Sequence, residues 1–353
     1  RLRLVRARRR APVEDGHNDI IMNPTTRSIV KTLLRPVYQP PRAAFQYVRA
    51  RRIVRDYAAN YRAAQDAYRA AGLAGGAAIA SLDRVGVRVV WPDQAPGILT
   101  LPGGYPELVS RVAADVDRRF AVSANCLFMP KVDRSALPER TADVPEIRSQ
   151  DVISLQLRDA ADADGVRALS DALMPEIERV LFGSFVVVDK VYVYRNLVTR
   201  QAEQVSWLWH YDNHPTEVIK VMVYLTDVGE RNAPFEYVRR TDTAEPFMFK
   251  PLPLLGNSRV AKARVDKHLA DGYEAFKATG PSGTLLVFDD NVLHRATFAR
   301  EGHRDVLVFQ IRPATFRPEP RLDPRWTGSF EHDDFNLNPD DYQARVKRTK
   351  ISG

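Results

Sequence analysis

Phe185-Val-Val-Val-Asp-Lys-Val-Tyr-Val-Tyr-Arg195 indicates the fold class, because it is a β-branched and aromatic run whose second half alternates between polar and apolar residues. Three similar runs follow it along the chain, and they are Glu217-Val-Ile-Lys-Val-Met-Val-Tyr-Leu-Thr-Asp227, Gly283-Thr-Leu-Leu-Val-Phe-Asp289 and Asp305-Val-Leu-Val-Phe-Gln-Ile311. We therefore predict an antiparallel β-barrel or jelly roll in which these four runs are strands.

Two histidines and an aspartate lie beside these strands. His210 and Asp212 are two residues apart, and His294 follows the third run. Side chains two residues apart on a strand point to the same face, so His210 and Asp212 are expected to converge. Two histidines and one carboxylate, with other coordination positions open, are typical of non-haem Fe(II) oxygenases. We predict these three residues as the catalytic metal ligands; His214 is the alternative, with a supporting role as its more common use.

A longer pattern of motifs surrounds the predicted metal ligands. From Val191 to Arg312 the chain resembles the phytanoyl-CoA dioxygenase-like family of Fe(II)/2-oxoglutarate-dependent oxygenases. The matching pieces, in the family's order, are Trp209-His-Tyr-Asp212, Val223-Tyr-Leu-Thr-Asp-Val228, Asn232-Ala-Pro-Phe-Glu-Tyr-Val238, Ser282-Gly-Thr-Leu-Leu-Val-Phe288, His294-Arg-Ala296 and Arg304. The resemblance implies a double-stranded β-helix (a cupin-like jelly roll). It also implies Fe(II), 2-oxoglutarate and O2 as cofactors, and hydroxylation or desaturation of a small-molecule C–H bond with release of succinate and CO2.

An arginine is the predicted partner of the cosubstrate. In this family an arginine beyond the distal histidine binds the far carboxylate of 2-oxoglutarate, and Arg304, ten residues after His294, has that spacing. A planar guanidinium presents paired donors that suit a carboxylate. From the residues alone, Arg300 and Arg312 are alternatives. Three further side chains are predicted to line the cosubstrate pocket, with an exposed sheet face as the other interpretation, and they are Tyr192, Lys220 and Tyr224.

The chain departs from the family pattern after Val238. Many members have Gly-Ser-His there, whereas this chain has Arg239-Arg-Thr-Asp242. The difference alters the loop over the site, so a metabolite, a natural product and an acyl thioester all stay open as substrates. Asp212 is retained where related halogenases carry a small residue, which favours hydroxylation or desaturation.

Periodicity and composition divide the chain into four regions. Residues 1–41 are predicted as a basic, flexible segment and 42–182 as a helical extension packed on the barrel. Residues 183–315 are the predicted catalytic core, with an insertion at 240–282 that is expected to help select the substrate, and 316–353 are a C-terminal tail. The helical stretches are predicted at 42–71, at 108–120 and at 166–181, the last with Pro175 as a bend. A strand is predicted between the first two helices, at Val85–Trp91.

Composition narrows the class of protein. The chain has 353 residues, 44% apolar and 27% charged, as in ordinary globular proteins. Its single cysteine, Cys126, excludes an internal disulfide and fits a reducing cytosol, so a cytoplasmic location is predicted. No apolar run approaches the length needed to span a bilayer.

Positive charge is concentrated at the N-terminus. Residues 1–69 carry sixteen Lys and Arg against five Asp and Glu. A solvated tail is the more common state of such a run, and no nucleic-acid-binding motif accompanies it, so nucleic acid is not expected as a partner. Two rival hypotheses remain: a non-catalytic or 2-oxoglutarate-independent cupin-type metal-binding protein, and an N-terminal nucleic-acid module fused to a degenerate barrel.

Overall fold

A computed structural model of the chain describes residues 24–73, 85–92, 99–252, 258–323 and 327, with the backbone alone for 24–43. The chain divides into two compact units, Arg1–Gln46 and Tyr47–Gly353. The described residues of the first unit belong to the first part of a helix. All strands and all candidate site residues lie in the second unit. The basic run at residues 1–10 lies outside the described residues.

Helices precede the main run of strands, as predicted. They are α1 (Pro24–Ala70), α2 (Tyr105–Phe120), α3 (Pro145–Arg148) and α4 (Asp164–Ile177), with α5 (Lys262–Ala270) later in the chain. Helix α1 begins earlier than the predicted start at Arg42 and is followed by Gly72, whose φ of 74° is one that glycine adopts readily. The predicted third helix contains Pro175 and continues beyond α4 as a π-helical turn, Glu178–Phe182.

In the described ranges, ten strands form two antiparallel sheets. They are β1 (Val87–Val90), β2 (Cys126–Met129), β3 (Ser154–Leu157), β4 (Phe185–Leu197), β5 (Ile219–Tyr224), β6 (Phe235–Arg240), β7 (Tyr273–Ala278), β8 (Leu285–Asp289), β9 (His294–Ala296) and β10 (His303–Ala314). The large sheet has the order β1-β8-β5-β10-β4-β3-β2, and the small sheet has the order β7-β6-β9. From β4 onward the chain crosses repeatedly between the sheets, which makes the double-stranded β-helix that was predicted.

The region before the barrel is not purely helical, which corrects the predicted extension at 42–182. Strand β1 pairs with β8 from Val87 opposite Phe288 onward, and β3 pairs with β4 from Ser154 opposite Asn196. Strand β2 then pairs with β3. Strand β1 confirms the strand predicted at Val85–Trp91. Strands β2 and β3 are four residues long and contain no valine, isoleucine or threonine, so propensity gave no signal for these two.

The predicted insertion at 240–282 also contains regular structure. It holds α5 and β7, and β7 pairs with β6 along its whole length, from Phe235 opposite Ala278 to Arg240 opposite Tyr273. The sequence Tyr-Glu-Ala-Phe-Lys-Ala of β7 has its two charged residues, Glu274 and Lys277, three positions apart, so it lacks the alternation of a half-buried strand, and its strand character comes from this pairing. The insertion is therefore partly a structural element of the small sheet.

Apolar side chains fill the space between the two sheets. Met222, Leu286, Phe288 and Val308 from the large sheet pack with Phe235 from the small sheet, and all five are at most 8% exposed. Burying an aliphatic or phenyl side chain of this size stabilises a fold by about 1.5–3 kcal/mol. A second, larger cluster joins the outer face of the large sheet to α2 and α4. The large sheet is thus held on both faces.

Asp289, at the end of β8, gives the fold a measurable pH dependence. It is fully buried, its Oδ1 accepts the Asn291 N–H at 2.6 Å, and its Oδ2 has no partner among the described residues. Burial raises its pKa from 3.8 to about 7. A carboxyl with a raised folded-state pKa favours folding most at low pH, and this contribution is lost as the pH rises from about 4 through 7.

We therefore expect Asp289→Asn to stabilise the protein at pH 8 by roughly 2–4 kcal/mol and to have little effect near pH 4. Asparagine keeps an acceptor for the Asn291 N–H but carries no charge to bury. Urea unfolding of both proteins at pH 5 and pH 8 measures the difference. An equal gain at both pH values would mean that the Asp289 carboxyl is not the titrating group.

Cys126 is buried. Within the described part of the chain, none of the helices combines the length and apolarity needed to cross a membrane.

Candidate metal and carboxylate site

His210 and His294 face each other across the two backbones that carry them. The His210 N–H donates to the His294 carbonyl at 3.0 Å, and the His294 N–H donates to the His210 carbonyl at 2.9 Å. His210 makes only isolated pairs of this kind, and Asp212 lies beyond them in irregular backbone, fixed by its own N–H to the Asp290 carbonyl at 2.7 Å. The predicted regular strand through both residues was wrong, although the two side chains do converge.

His210, Asp212 and His294 are brought together in a geometry that suits a metal ion. Their ligand atoms all lie within 4.8 Å of one another. Asp212 Oδ1 is 3.8 Å from His210 Nε2, and Asp212 Oδ2 is 3.9 Å from His294 Nε2. Two imidazole nitrogens and one carboxylate oxygen at these separations can share one cation and leave its remaining coordination positions open.

The tautomer of each histidine is set by the backbone. His210 Nδ1 lies 2.8 Å from the Leu208 carbonyl, and His294 Nδ1 lies 2.8 Å from the Val292 carbonyl. A carbonyl oxygen only accepts, so each Nδ1 carries the hydrogen and each Nε2 keeps its lone pair. Both lone pairs are therefore available to a metal, and the two rings are held in place by the same bonds.

Charge states at the site also suit a metal. Burial lowers the pKa of His294 to about 4 and lowers the pKa of His210, so both rings are neutral near pH 7. Burial acts to raise the pKa of Asp212, but Lys220 and the neighbouring histidines outweigh it and hold that pKa well below its usual range. The site thus presents two neutral imidazoles and one carboxylate, which are the forms that bind cations.

Lys220 connects the predicted metal ligands to a buried acid. Its Nζ forms an ion pair with Asp212 Oδ2 and lies 3.5 Å from Asp290 Oδ1. Asp290, which is fully buried, is paired in turn with Nδ1 of His214. Lys220 was predicted as a cosubstrate-pocket residue; the structure places it in the cavity wall but bound to Asp212. His214 faces Asp290, and it is not one of the three residues grouped at the metal position.

We expect His214→Ala to weaken metal binding by no more than about tenfold, because His214 contacts Asp290 and is not one of the three grouped ligands. His210→Ala is the matched histidine variant and should bind metal at least about 100-fold more weakly. Mn(II) binding followed by electron paramagnetic resonance compares the two. Loss of metal in the His214 variant would move the ligand assignment to His214.

The site opens into a cavity of about 270 Å³ between the sheets. The residues that line it include His210, His294 and Lys220 at the metal position, and also Arg304. The remaining lining residues carry no charge, and they are Met129, Ser154, Gln156, Tyr192, Tyr194, Asn196, Val205, Ser206, Trp207, Met222, Phe235, Phe288, Ala296, Val306 and Val308. Charged lining groups, among the residues described, therefore lie only at the metal position and at Arg304.

Arg304 is a buried cation that forms no ion pair with a carboxylate of the described residues. It is 4% exposed, and its Nε and Nη1 have no hydrogen-bond partner among the described residues. Burial lowers the pKa of its guanidinium, and the neighbouring Tyr224 hydroxyl opposes this shift. The two alternative arginines for the cosubstrate do not line this cavity. Arg300 is exposed, and Arg312 donates a hydrogen bond to the Tyr57 hydroxyl at 2.8 Å. A buried guanidinium in a cavity wall favours an anionic ligand.

The predicted tyrosines have different positions. Tyr192 lines the cavity and stacks on Tyr194 with ring centroids 5.6 Å apart. Tyr224 is fully buried, and its hydroxyl donates to the Ala278 carbonyl at 2.7 Å. It lies next to Arg304 and does not line the cavity, so it contacts the arginine and not the cosubstrate pocket. Trp207 and Trp209 are both buried; Trp207 also lines the cavity and stacks on Phe298.

Some cavity residues were not predicted. Ser154 and Gln156 come from β3, and Asn196 follows the recognised part of β4. The alternation in Ser-Leu-Gln-Leu of β3 was the available signal, because it puts Ser154 and Gln156 on one face. Four residues are too few for that alternation to be distinguished from chance.

Comparisons with known proteins give structural similarities alone. No family model matches the chain, and no curated protein matches it. The crystal structure of EctD from S. alaskensis with 2-oxoglutarate and 5-hydroxyectoine is 17% identical, with a TM-score of 0.44 over 72% of this chain and 85% of that one. HygX from Streptomyces hygroscopicus with nickel, 2-oxoglutarate and hygromycin B is 16% identical, with a TM-score of 0.39 over 67% and 86%. The epimerase SnoN, with Fe3+, alpha ketoglutarate and nogalamycin RO, is 17% identical, with a TM-score of 0.41 over 75% and 86%.

Proposed function

We propose that the protein is an Fe(II)- and 2-oxoglutarate-dependent dioxygenase that hydroxylates or desaturates a small-molecule C–H bond and releases succinate and CO2. The observation that carries the proposal is one cavity that contains both a group of candidate metal ligands and a buried guanidinium without a carboxylate partner among the described residues. A metal site alone would suit a structural ion. The combination with Arg304 suits a metal-chelating ligand that has a second carboxylate, which is the chemistry of a 2-oxo dicarboxylate.

Each site residue has a role that follows from its environment. His210, Asp212 and His294 would hold Fe(II) through the two Nε2 atoms and a carboxylate oxygen. Arg304 would hold the far carboxylate of 2-oxoglutarate. The bound metal would supply activation of O2 at an open coordination position. Lys220 keeps Asp212 ionised and in place, and the apolar wall of Phe235, Phe288 and Val308 keeps bulk water from the reacting groups.

The phytanoyl-CoA dioxygenase-like family is the finer assignment that we propose. It rests on the motifs from Trp209 to Arg304 in their family order. The departure at 239–242 has a structural counterpart, since Arg239 pairs with Glu274 and Arg240 pairs with Asp242. These ion pairs fix the end of β6 in a local arrangement of its own. Because this loop differs from the family pattern, we do not assign the family's substrate to this protein.

The cavity wall limits the part of the substrate that reacts. Apart from the metal position and Arg304, the described lining residues are neutral, with hydroxyl, amide and aromatic groups. Burying an unpaired charge against such a wall would cost several kcal/mol. We therefore expect the reacting part of the substrate to be uncharged, whether it belongs to a metabolite, a natural product or an acyl thioester.

An anaerobic titration tests the proposed function. The apo protein is mixed first with Fe(II) and then with 2-oxoglutarate, and the visible absorption spectrum is recorded for the charge-transfer band of the metal chelate. A saturable band would support the proposal, and uncoupled turnover of 2-oxoglutarate to succinate in air would extend it. If iron binds and no band forms, the dioxygenase proposal fails in favour of a cupin-type metal protein that does not use 2-oxoglutarate.

A further inference from the structure

Asn196 lies directly beside Arg304 in the large sheet. Asn196 is on β4 and Arg304 on β10, and the two are opposite each other in the antiparallel pairing. On its other side Asn196 is opposite Ser154 of β3. Residues directly opposite in antiparallel strands point to the same face, with Cβ atoms about 4.5–5.5 Å apart. All three residues line the cavity, so they form one polar row across its wall.

Three donor groups of this row, on Asn196 and Arg304, have no acceptor among the described residues. Asn196 is 4% exposed, and its Nδ2 has no hydrogen-bond partner among the described residues. Nε and Nη1 of Arg304 also have no hydrogen-bond partner among the described residues. Buried donors in native proteins are nearly always satisfied, because an unmade hydrogen bond is costly. Two neighbouring side chains with unsatisfied donors, in one cavity wall, therefore indicate a ligand that brings acceptors to both.

We propose that Asn196 and Arg304 together form the subsite for the far carboxylate of the 2-oxo dicarboxylate. The inference rests on the proposed function and adds a residue to it. Arg304 supplies the positive charge, and the Asn196 amide supplies a hydrogen bond without a second charge. A carboxylate has about four acceptor positions, so it can accept from an amide and a guanidinium together. Asn196 is then a cosubstrate-binding residue rather than a substrate-binding one.

An uncharged amide at position 196 suits this subsite better than a carboxylate would. An aspartate at position 196 would have nearly the same shape but would pair with the guanidinium itself. It would also repel an incoming carboxylate. Asn196 leaves the charge of Arg304 available, and the two isosteric side chains at this position are expected to differ sharply in cosubstrate binding.

Calorimetric titration of the Mn(II)-loaded protein with 2-oxoglutarate, without oxygen, tests the proposal independently of turnover. We expect Asn196→Ala to weaken 2-oxoglutarate binding roughly tenfold or more, since a hydrogen bond to a charged group is lost. Asn196→Asp should weaken it roughly 100-fold or more. Mn(II) affinity should stay unchanged in both variants. Gln156→Ala removes another cavity amide, on β3 opposite Tyr194, and should bind 2-oxoglutarate as the wild type does.

Pyruvate provides a second probe, because it has the 2-oxo acid but lacks the far carboxylate. Its binding to the Mn(II)-loaded protein should be equal in the wild type and in Asn196→Ala. Equal loss of pyruvate and 2-oxoglutarate would overturn the proposal by placing Asn196 at the metal end. Asn196→Ser retains a hydrogen-bond donor, so it should bind 2-oxoglutarate more tightly than Asn196→Ala. It replaces the alanine variant in the test if circular dichroism shows that Asn196→Ala does not fold.

The outcomes separate the two proposals. If the wild type does not bind 2-oxoglutarate, the proposed function fails. If the wild type binds it and Arg304→Ala does not, while Asn196→Ala and Asn196→Asp match the wild type, the function stands and the role of Asn196 is overturned.

Discussion

Replacing Asp212 by alanine is expected to abolish turnover and to weaken Fe(II) binding by more than about 100-fold, beyond the loss usual for residues that only support a ligand. Asp212 is the only anionic member of the group, and its two oxygens lie 3.8 Å and 3.9 Å from the Nε2 atoms of His210 and His294. Its removal leaves two neutral imidazoles, with the ammonium of Lys220 close by. That cation would then repel a metal ion without an intervening carboxylate. Anaerobic Fe(II) titration followed by intrinsic fluorescence measures the affinity.

Asp212→Asn is the matched variant for this experiment. It keeps the shape and one oxygen ligand but removes the charge, so its iron affinity should lie between those of the wild type and Asp212→Ala. Circular dichroism of both variants checks that the barrel is intact, since Lys220 retains Asp290 at 3.5 Å as a partner. Iron affinity of Asp212→Ala equal to that of the wild type would remove Asp212 from the ligand set.

Arg304→Ala is expected to weaken 2-oxoglutarate binding roughly 100- to 1000-fold, because removing one partner of a buried ion pair costs about 3–5 kcal/mol. The structure offers no second cation to that end of the cavity among the described lining residues, since Lys220 is bound to Asp212. Fe(II) affinity should change little. The dependence of the chelate's charge-transfer band on 2-oxoglutarate concentration measures the effect.

Two arginine variants provide controls for this prediction. Arg300→Ala removes an exposed arginine from the segment before β10 and should behave as the wild type. Arg304→Lys keeps the charge without the paired donors and should recover part of the affinity. An unchanged 2-oxoglutarate requirement in Arg304→Ala would redirect the assignment to Arg312 or to a residue outside the described ranges.

The strands of the barrel could be predicted because their own sequences carry the signal. Runs such as Phe185–Arg195 are β-branched and bounded by turns, and each corresponds to a strand in the structure. Five strands were not predicted, namely β2, β3, β6, β7 and β9. Of these, β2, β3 and β7 are strands because they pair with a neighbour, and not because of local propensity. The short length of β2 and β3 removed the alternation that might have revealed them.

The residues of the candidate site also fall into a group that could be predicted from the sequence and a group that could not. His210, Asp212 and His294 could be selected because their residue types and spacing indicate a chemistry. The ion pair between Lys220 and Asp212, and the position of Asn196 opposite Arg304, depend on which strands are neighbours and in which register. Register is not encoded in any one segment, so these residues became visible only in the folded chain.

The three short strands at the edges of the large sheet, β1, β2 and β3, have a consequence for any attempt to isolate the barrel. The outer neighbour of β4 is β3, and the outer neighbour of β8 is β1, so residues before 158 cover both sides of the barrel's large sheet. A fragment beginning at residue 183 would leave two rows of backbone N–H and C=O groups open to strands of other molecules. Such a fragment is expected to self-associate into aggregates, so a monomeric barrel needs β1, β2 and β3 as well as the predicted core.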